Sequence, residues 1–429
     1  MLVPDPNFRP DPNRAIFISG HIDQALVDRL TPTIMQLCAR NRQPISVYID
    51  SKGGSPQSAE TILRLLKATN QDNESGCHII TIVTTRAASA AADLLSAGDY
   101  AIAFPDTSIL FHGVRTPTWS DLVTMEQAST IADYLKLSND RYAMTLARKS
   151  ERRFMYLFFA LQNQFQAHRT KVNNPNLPPL ECFIGLVRGN ISDLANKILD
   201  RAWDRYERYN ALLSHVFALA GKAKKNPFAG GASEAEIESF MLRAIVQFEL
   251  KKNKADRKWT FSGRGLVRVN DDFFLLQEYF ATAYGIEFNQ LCERWADLVL
   301  TDADNAELAL IQEPERTEKK RTMVRPHFQP AWSFLVALCH ALQEGENEIS
   351  ALDAFWLGLI DEVLGQHGLP LKRYFAEFQP DPQPEGAGAI PGLGPEPLPA
   401  TDGEVTPPAS APGADREPPP ENPPEGISA

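Results

Sequence analysis

Short apolar runs alternate with helical patterns over the first 118 residues, and this alternation constrains the fold more than any other feature. The runs are β-branched and bounded by Gly, Pro or Asp, which is typical of strands. They cover 15–20, 45–50, 78–85, 100–105 and 108–113. Between them the pattern predicts helices over 23–40, after Ser55-Pro56, and from about Ser89 to Gly98. Strands alternating with helices predict an α/β fold with a largely parallel sheet.

The rest of the chain divides into three further parts. From about Trp119 to His340 the pattern is almost entirely helical, and a short helix-and-strand pattern follows it. We therefore predict an N-terminal core part, a large all-α insertion, a closing core part and a tail. Their bounds are 1–118, 119–340, 341–379 and 380–429.

The tail, 380–429, has a composition of its own. It contains no aromatic residue, lysine or histidine, many prolines, and nine acidic residues against one base. Such a segment buries too little apolar surface to offset its ordering entropy, so we predict that it is disordered. Because the tail carries −8 of the net charge of −11, the acidity of the chain says little about its functional surface.

Several functional classes are disfavoured by composition. The five cysteines are scattered and form no Cys-x-x-Cys pair, which predicts a reducing compartment and no zinc site. The start shows no signal peptide, and no uncharged apolar run reaches the roughly 18 residues of a membrane span. The segment 251–269 is basic with interspersed aromatics, but the body is not basic, which favours a solvated hairpin over a nucleic-acid groove. We expect a cytoplasmic protein without membrane or nucleic-acid partners.

Ser89 stands inside a run of five alanines, where a strand gives way to a helix. One interpretation is close packing, in which small residues let the helix approach a neighbouring backbone. The other is a nucleophile at a helix N-terminus, where the dipole is positive and the N–H of Ala90 helps to hold an oxyanion. The alanines would then leave room for a substrate backbone.

Two other features likewise have one structural and one functional interpretation. Gly53 and Gly54 follow the strand at 45–50, where they could form a simple turn or let bare N–H groups approach a ligand. His112 ends the strand at 108–113. It could be a structural histidine, or a general base if Ser89 lies within hydrogen-bond reach.

The order of these pieces resembles the proteolytic subunit of the ATP-dependent Clp protease, a serine peptidase with the fold shared by crotonases. The matching segments are RAIFISGHIDQALVDRL, YIDSKGGSPQSAETIL, AASAAADLLSAG and PDTSILFHG, with ISALDAFWLGLIDEVLG (349–365) similar to the closing helix and strand. The resemblance implies a Clp protease/crotonase-like α/β core of repeated β-β-α units. It also implies a homo-oligomer that cleaves polypeptides without a cofactor or metal, with an ATP-driven unfoldase as a further partner.

The resemblance also implies roles for individual residues. Ser89 would be the nucleophile and His112 the general base. The N–H groups of Gly54 and Ala90 would form the oxyanion hole, with Gly53 beside the substrate.

The acidic member of the family's triad is placed by counting back from Gly358-Leu359-Ile360-Asp361, which leads to Glu346. Asp353 is a poorer candidate, because with Ser350 it fits a capping box that opens the last helix. Asp361 itself matches a family position that is not catalytic.

The chain departs from the family pattern near the site. Thr85-Arg86 replaces a usual glycine, Lys52 stands where proline is usual, and Gly113-Val114 replaces Gln-Pro. The insertion also falls where the family builds its ring-to-ring contact. The departures at Thr85-Arg86 and Gly113 favour one alternative, a catalytically inactive Clp-like scaffold or partner subunit. A second alternative is a crotonase-type enzyme that uses the same oxyanion hole on an acyl-CoA thioester; it is disfavoured because such enzymes do not need the Ser–His pair.

Overall fold

The structure is a computed structural model. It describes residues 10–68, 76–115, 124–222 and 299–368. Shorter described stretches lie at 236, 239–240, 250–252, 259–261 and 293–296. The predicted tail, 380–429, lies outside the described residues.

The first part of the chain has the predicted alternation of strands and helices. The strands are β1 (Ala15–Ile22), β2 (Ile45–Gly54), β3 (Ile79–Ala88), β4 (Tyr100–Ala103) and β5 (Ser108–His112). The helices are α1 (Gln24–Arg40), α2 (Pro56–Leu66) and α3 (Ala90–Ala97). Asp23 and Ser55 cap α1 and α2 by accepting hydrogen bonds from backbone N–H groups of the first turn. The prediction of an α/β core is confirmed.

In the described residues these strands belong to an eight-stranded sheet, whose main path runs β1-β2-β3-β4 and then through two short strands, Glu362–Val363 and His367–Gly368. The β1–β2, β2–β3 and β3–β4 pairs are parallel, and so is the pair of β4 with Glu362–Val363. Strand β3 extends beyond its pairing with β4, and its last residues, Arg86 to Ala88, pair with β5 instead. Because the end of β3 lies beside β5, Ser89 and His112 are near the same edge of the sheet.

Helices dominate the next part of the chain, as predicted. They are α4 (Met125–Ala160), α5 (Gln162–Lys171), α6 (Pro179–Arg188), α7 (Asp193–Lys222), α8 (Asp302–Ala309) and α9 (Glu315–Leu342). Strands β6 (Leu250–Lys252) and β7 (Trp259–Phe261) form an antiparallel pair within the predicted basic hairpin. Most of the buried apolar side chains of the sheet, of α4 to α7 and of α9 form one continuous core. The division of the chain into four parts stays a prediction.

The closing part returns to the sheet with β8 (Glu346–Ser350), α10 (Ala351–Trp356), β9 (Glu362–Val363) and β10 (His367–Gly368). Strand β8 pairs antiparallel with β5. The predicted capping box at Ser350 and Asp353 is present, and the Asp353 carboxylate also accepts hydrogen bonds from Ser192. Asp353 therefore has a structural role at the junction of α10 and the helical region.

A buried ion pair joins α4 to the sheet. The Arg153 Nε lies 2.6 Å from Asp361 Oδ2, and both side chains are almost fully buried. The same carboxylate accepts a hydrogen bond from the Ala101 N–H, and Arg153 donates to the carbonyl oxygens of Ser96 and Gly98. Removing one partner of such a pair typically costs about 3–5 kcal/mol, because the other charge is left buried. This pair holds α4 against α3, the helix that follows Ser89.

Candidate active site

Ser89 forms a tight elbow between β3 and α3. Its φ of 56° and ψ of −127° are strained for a residue with a side chain. Two sets of hydrogen bonds hold the elbow: the Ser89 N–H donates to Leu110 O at 2.8 Å, and Ser89 O accepts from the N–H groups of Ala92 and Asp93. A side chain on such an elbow projects from the sheet edge instead of entering the core, and Ser89 is partly exposed.

Gly53 lies directly against this elbow. It has a φ of 90°, and a Cβ atom there would lie 2.7 Å from Ser89 Cβ and 3.2 Å from the Ala90 nitrogen. The Gly53 N–H donates to Ser51 Oγ at 3.0 Å, and that hydroxyl donates to Gly20 O. Only glycine fits here, because both its conformation and its contact with the elbow exclude a side chain.

Gly54 packs against β1. With a φ of 153°, it has no room for a Cβ atom, which would lie 2.8 Å from the Ile22 nitrogen and collide with the Ile22 carbonyl oxygen. The next residue, Ser55, donates its N–H to the same Ile22 oxygen at 2.7 Å. Gly54 is thus needed for the fold of the β1–β2 edge as well as being a candidate oxyanion donor.

His112 is the last residue of β5 and is partly exposed. Its Nδ1 lies 2.6 Å from the Gly113 carbonyl oxygen. Since a carbonyl oxygen only accepts, this contact places a proton on Nδ1, so that in the neutral ring the lone pair is on Nε2. A neutral histidine in this tautomer has the form that a general base requires.

Four of the residues predicted for the site line one pocket of about 160 Å³: Ser89, His112, Gly54 and Ala90. The other residues of its wall are Pro56, Asp93, Phe111, Gly113, Val114, Arg115, Tyr142 and Gln343. Gly53 packs beneath the pocket, against the Ser89 elbow. The structure therefore brings the predicted nucleophile, base and oxyanion donors together.

Glu346 is arranged differently from the prediction. It is the register partner of His112 in the antiparallel β5–β8 pair, so the two residues share a face of the sheet. Its carboxylate forms an ion pair with Arg115, however, and its side chain is 66% exposed. In the described geometry the acceptor of the His112 ring is the backbone of Gly113, and Glu346 acts on Arg115.

Asp93 is a site residue that sequence reasoning missed. It lies one helical turn after Ser89 on α3, and among the described residues lining the pocket it is the only carboxylate. Burial raises the pKa of Asp93 above its usual value, while the positive charge of Lys149 and interaction with His112 oppose the rise. The signal was present in the sequence, because residues four apart on a helix share a face.

The helical region also builds one wall of the pocket. Tyr142 of α4 and Gln343, just after α9, both line it. Asn139 of α4 accepts a hydrogen bond from the Val114 N–H at 2.6 Å. A Cβ atom at Gly113 would lie 2.9 Å from Gln343 O and 3.0 Å from Asn139 Nδ2, so these contacts require glycine after the histidine.

The described part of the chain shows neither a metal cluster nor a membrane span. Within it, no group of three or more His, Cys, Asp or Glu side chains is placed to hold a metal ion. None of its helices combines the length and the apolar character needed to cross a membrane.

Comparison with protein families points to the same part of the chain as the geometry. Residues 10–150 match the model of the Clp protease family. Among solved structures, a point mutant of ClpP1 from Listeria monocytogenes is 20% identical, with a TM-score of 0.26, over 32% of this chain and 72% of that chain. No curated protein matches the chain. The predicted resemblance is confirmed for residues 10–150, which contain every predicted site residue except Glu346.

Proposed function

We propose, from the Clp protease-like character of residues 10–150 and from the pocket they form, that the chain is a serine peptidase that cleaves polypeptides. The observation that carries the proposal is the pairing of a strained Ser89 elbow with His112 in one pocket, the histidine being held with its proton on Nδ1. A strained conformation at a small polar residue is typical of a functional site. If Ser89 only filled space, its strained backbone conformation would destabilise the fold without a compensating function.

In the proposed reaction, Ser89 Oγ attacks the carbonyl carbon of a peptide bond while His112 Nε2 takes the hydroxyl proton. The tetrahedral intermediate collapses as the C–N bond breaks, and His112 returns the proton to the leaving amine. A water molecule then attacks the acyl-enzyme in the same way, releasing the new carboxyl end and restoring Ser89. The Nδ1 contact with Gly113 keeps the ring in the orientation that both steps need.

The proposed oxyanion hole combines two backbone N–H groups. Ala90 is the first residue of α3, so its N–H lies at the positive end of the helix dipole, and Gly54 lines the same pocket. Loss of one such donor typically costs about 10²–10³ in rate. Any side chain at Gly54 would collide with Ile22, so a substitution at Gly54 would disturb the fold as well as the donor. This donor must therefore be tested by changing the substrate and not by changing the residue.

The departures from the family pattern bear on the inactive-scaffold alternative. Arg86 lies 3.7 Å from Glu348 in an ion pair with β8, and Gly113 accommodates Asn139 and Gln343. Both departures therefore serve contacts with parts of the chain that lie far away in sequence. They do not remove the proposed nucleophile or base, so we favour the active enzyme over the scaffold.

A fluorophosphonate probe tests the proposal directly. We expect a single covalent adduct on Ser89, located by mass spectrometry of the digested protein, and its loss in Ser89→Ala together with peptide hydrolysis. Ser96→Ala is a matched control, because Ser96 lies on α3, the helix that follows Ser89, and its hydroxyl donates a hydrogen bond to Ala92 O within that helix. No adduct and no hydrolysis in a folded protein would favour the scaffold, and acyl-CoA turnover without an adduct would favour the crotonase-type enzyme.

A homo-oligomer and an ATP-driven unfoldase partner are proposals that follow from the family resemblance. Sedimentation velocity of the full chain tests the first. Cleavage of a folded substrate with and without an added unfoldase and ATP tests the second.

A further inference from the structure

A single peptide group links His112 to the helical region. It is the group that joins Gly113 to Val114. Its carbonyl oxygen, that of Gly113, lies 2.6 Å from His112 Nδ1. Its N–H, that of Val114, donates to Asn139 Oδ1 of α4, also at 2.6 Å. Two hydrogen bonds therefore form a chain that runs from Asn139, through this peptide group, to the His112 ring.

The peptide group can transmit orientation because it is rigid. Its C–N bond has partial double-bond character, so the carbonyl oxygen and the amide hydrogen lie in one plane and cannot turn independently. A hydrogen bond that holds the Val114 N–H therefore also fixes the direction of the Gly113 carbonyl oxygen. Hydrogen bonds in a chain also polarise one another, so the bond to Asn139 makes this oxygen a stronger acceptor for the ring.

Close packing holds the peptide group from two sides. A Cβ atom at Gly113 would lie 3.0 Å from Asn139 Nδ2 and 3.1 Å from Asn139 Oδ1. It would also lie 2.9 Å from the carbonyl oxygen of Gln343, the residue that follows α9. The absence of a side chain at Gly113 is therefore what lets the Asn139 amide approach the backbone next to His112.

Buried polar contacts hold the Asn139 segment of α4 in place. Asp140 is the next residue, and its Oδ1 lies 2.7 Å from Nε2 of His340 in α9, with both side chains almost fully buried. Arg205 of α7 lies 3.4 Å from the same His340 nitrogen and forms an ion pair with Glu344. Helices α4, α7 and α9 together thus fix the position from which Asn139 reaches Val114.

Two carboxylates near the His112 ring have other roles in this structure. Glu346 forms an ion pair with Arg115. Asp93 lies on α3 and interacts with His112 through its charge. The hydrogen bond that orients the ring is the one to Gly113 O, so the orientation of the ring depends on the orientation of that peptide group.

We propose that Asn139 is a positioning residue for the peptidase reaction. Through the Gly113–Val114 peptide group it keeps the proton of the neutral His112 ring on Nδ1 and the ring in the orientation that proton transfer from Ser89 requires. The inference rests on the proposed peptidase function and deepens it, because it makes the helical region part of the machinery that orients the base. Asn139 is not among the described residues that line the catalytic pocket, so it acts without touching the substrate.

Asn139→Leu removes the acceptor and keeps a side chain of similar size. We expect kcat for peptide hydrolysis to fall about tenfold, the effect of losing one orienting hydrogen bond. KM should stay within about twofold of wild type, since the substrate does not contact this residue. Asn139→Asp keeps an acceptor oxygen for the Val114 N–H, so its kcat should stay within about threefold of wild type.

Asn196→Leu is the matched control. Asn196 is a partly buried asparagine on α7, and its Nδ2 donates to the backbone oxygens of Arg188, Ile191 and Ser192, away from the site. We expect this variant to lose stability and to keep kcat. If Asn139→Leu does not fold, Asn139→Ala replaces it.

A second measurement does not depend on activity. Long-range proton–nitrogen NMR spectra of the full chain with isotope-labelled histidine show which ring nitrogen carries the proton, and His112→Gln identifies the His112 signals. In alkaline buffer, where the ring is neutral, we expect the proton on Nδ1 in the wild-type protein. In Asn139→Leu we expect a mixture of the two tautomers.

Three outcomes would overturn the inference. They are equal losses of kcat in Asn139→Leu and Asn196→Leu, equal losses in Asn139→Leu and Asn139→Asp, and an unchanged His112 tautomer in Asn139→Leu. The peptidase function is judged separately, by the fluorophosphonate adduct on Ser89. An adduct with an unchanged tautomer rejects the role of Asn139 alone. A tautomer that depends on Asn139, in a protein without adduct or hydrolysis, rejects the peptidase alone.

Discussion

The two sides of the candidate site are built in different ways. The nucleophile side consists of the Ser89 elbow and the glycine pair at Gly53 and Gly54, which belong to the neighbouring strands β2 and β3. The histidine side brings together His112, the following Gly113, Asn139 of α4 and Gln343. One side is held by adjacent strands of one sheet, and the other by chain segments that are more than 200 residues apart.

This difference determines how well each side tolerates amino-acid substitutions. On the nucleophile side, backbone atoms meet backbone atoms, so even a methyl group at Gly53 would collide with the elbow. On the histidine side, part of the contact around Gly113 is with the side chain of Asn139, which can shift at lower cost. We therefore expect substitutions on the nucleophile side to have the larger effects.

Gly53→Ala should have the largest effect. Gly345→Ala is its matched control, because Gly345 also has a positive φ, of 82°, but a Cβ atom there would have no neighbour within 4 Å. The conformational cost, about 1–2 kcal/mol, applies to both variants. Gly53→Ala adds a steric cost of about 1–3 kcal/mol and displaces the elbow, so fluorophosphonate labelling should fall about 10²-fold.

Urea unfolding of the two variants, with labelling rates measured on the folded proteins, tests this expectation. A Gly53→Ala protein that is no less stable than Gly345→Ala and is labelled at the wild-type rate would show that the elbow tolerates a side chain beside it. The nucleophile side would then be no stricter than the histidine side.

Asp93→Asn should have an intermediate effect, with opposite signs on stability and activity. Because the folded pKa of Asp93 is raised, the folded protein keeps this proton to a higher pH than the unfolded chain does, and wild-type stability falls as pH rises through that window. Asp93→Asn should therefore raise the Tm above the folded pKa, with no gain below the unfolded value of about 4.

The activity of Asp93→Asn should fall about tenfold above that window, which corresponds to about 1.4 kcal/mol of lost charge stabilisation for the protonated His112 ring. Thermal unfolding and kcat/KM across the pH range measure both effects. A variant that is less stable than wild type at neutral pH, or fully active, would remove Asp93 from the electrostatics of the site.

The nucleophile side was predictable because its signals are local. A serine among alanines at a strand–helix junction, and a glycine pair close to the preceding strand, are features of short segments. The structure places Ser89 at that junction, and it places Gly53 and Gly54 as the last two residues of β2, where the pattern predicts that they follow the strand. The strands and helices of the first part were predictable for the same reason, since burial on one side of each element sets its apolar period.

The other wall of the site was not predictable in the same way. Tyr142 lies in a 36-residue helix, where the pattern predicts that an aromatic residue at helical spacing belongs to the core. That pattern does not indicate that Tyr142 lines a pocket. Asp93 is the exception, because its spacing from Ser89 was visible in the sequence and was not used.

Glu346→Gln should have the smallest effect, although the family pattern assigns the triad acid to this position. The pair of Glu346 with Arg115 is 66% and 63% exposed, and exposed ion pairs contribute about 0–1 kcal/mol. The His112 ring already has its acceptor in Gly113 O, so turnover should stay within about twofold of wild type. Glu348→Gln is the matched control, because Glu348 lies two residues further on the same face of β8 and pairs with Arg86. A loss of more than tenfold in kcat in Glu346→Gln alone, with unchanged stability, would mean that the carboxylate leaves Arg115 for His112 during the reaction. The acceptor for the His112 ring would then be the Glu346 side chain and not the backbone oxygen of Gly113.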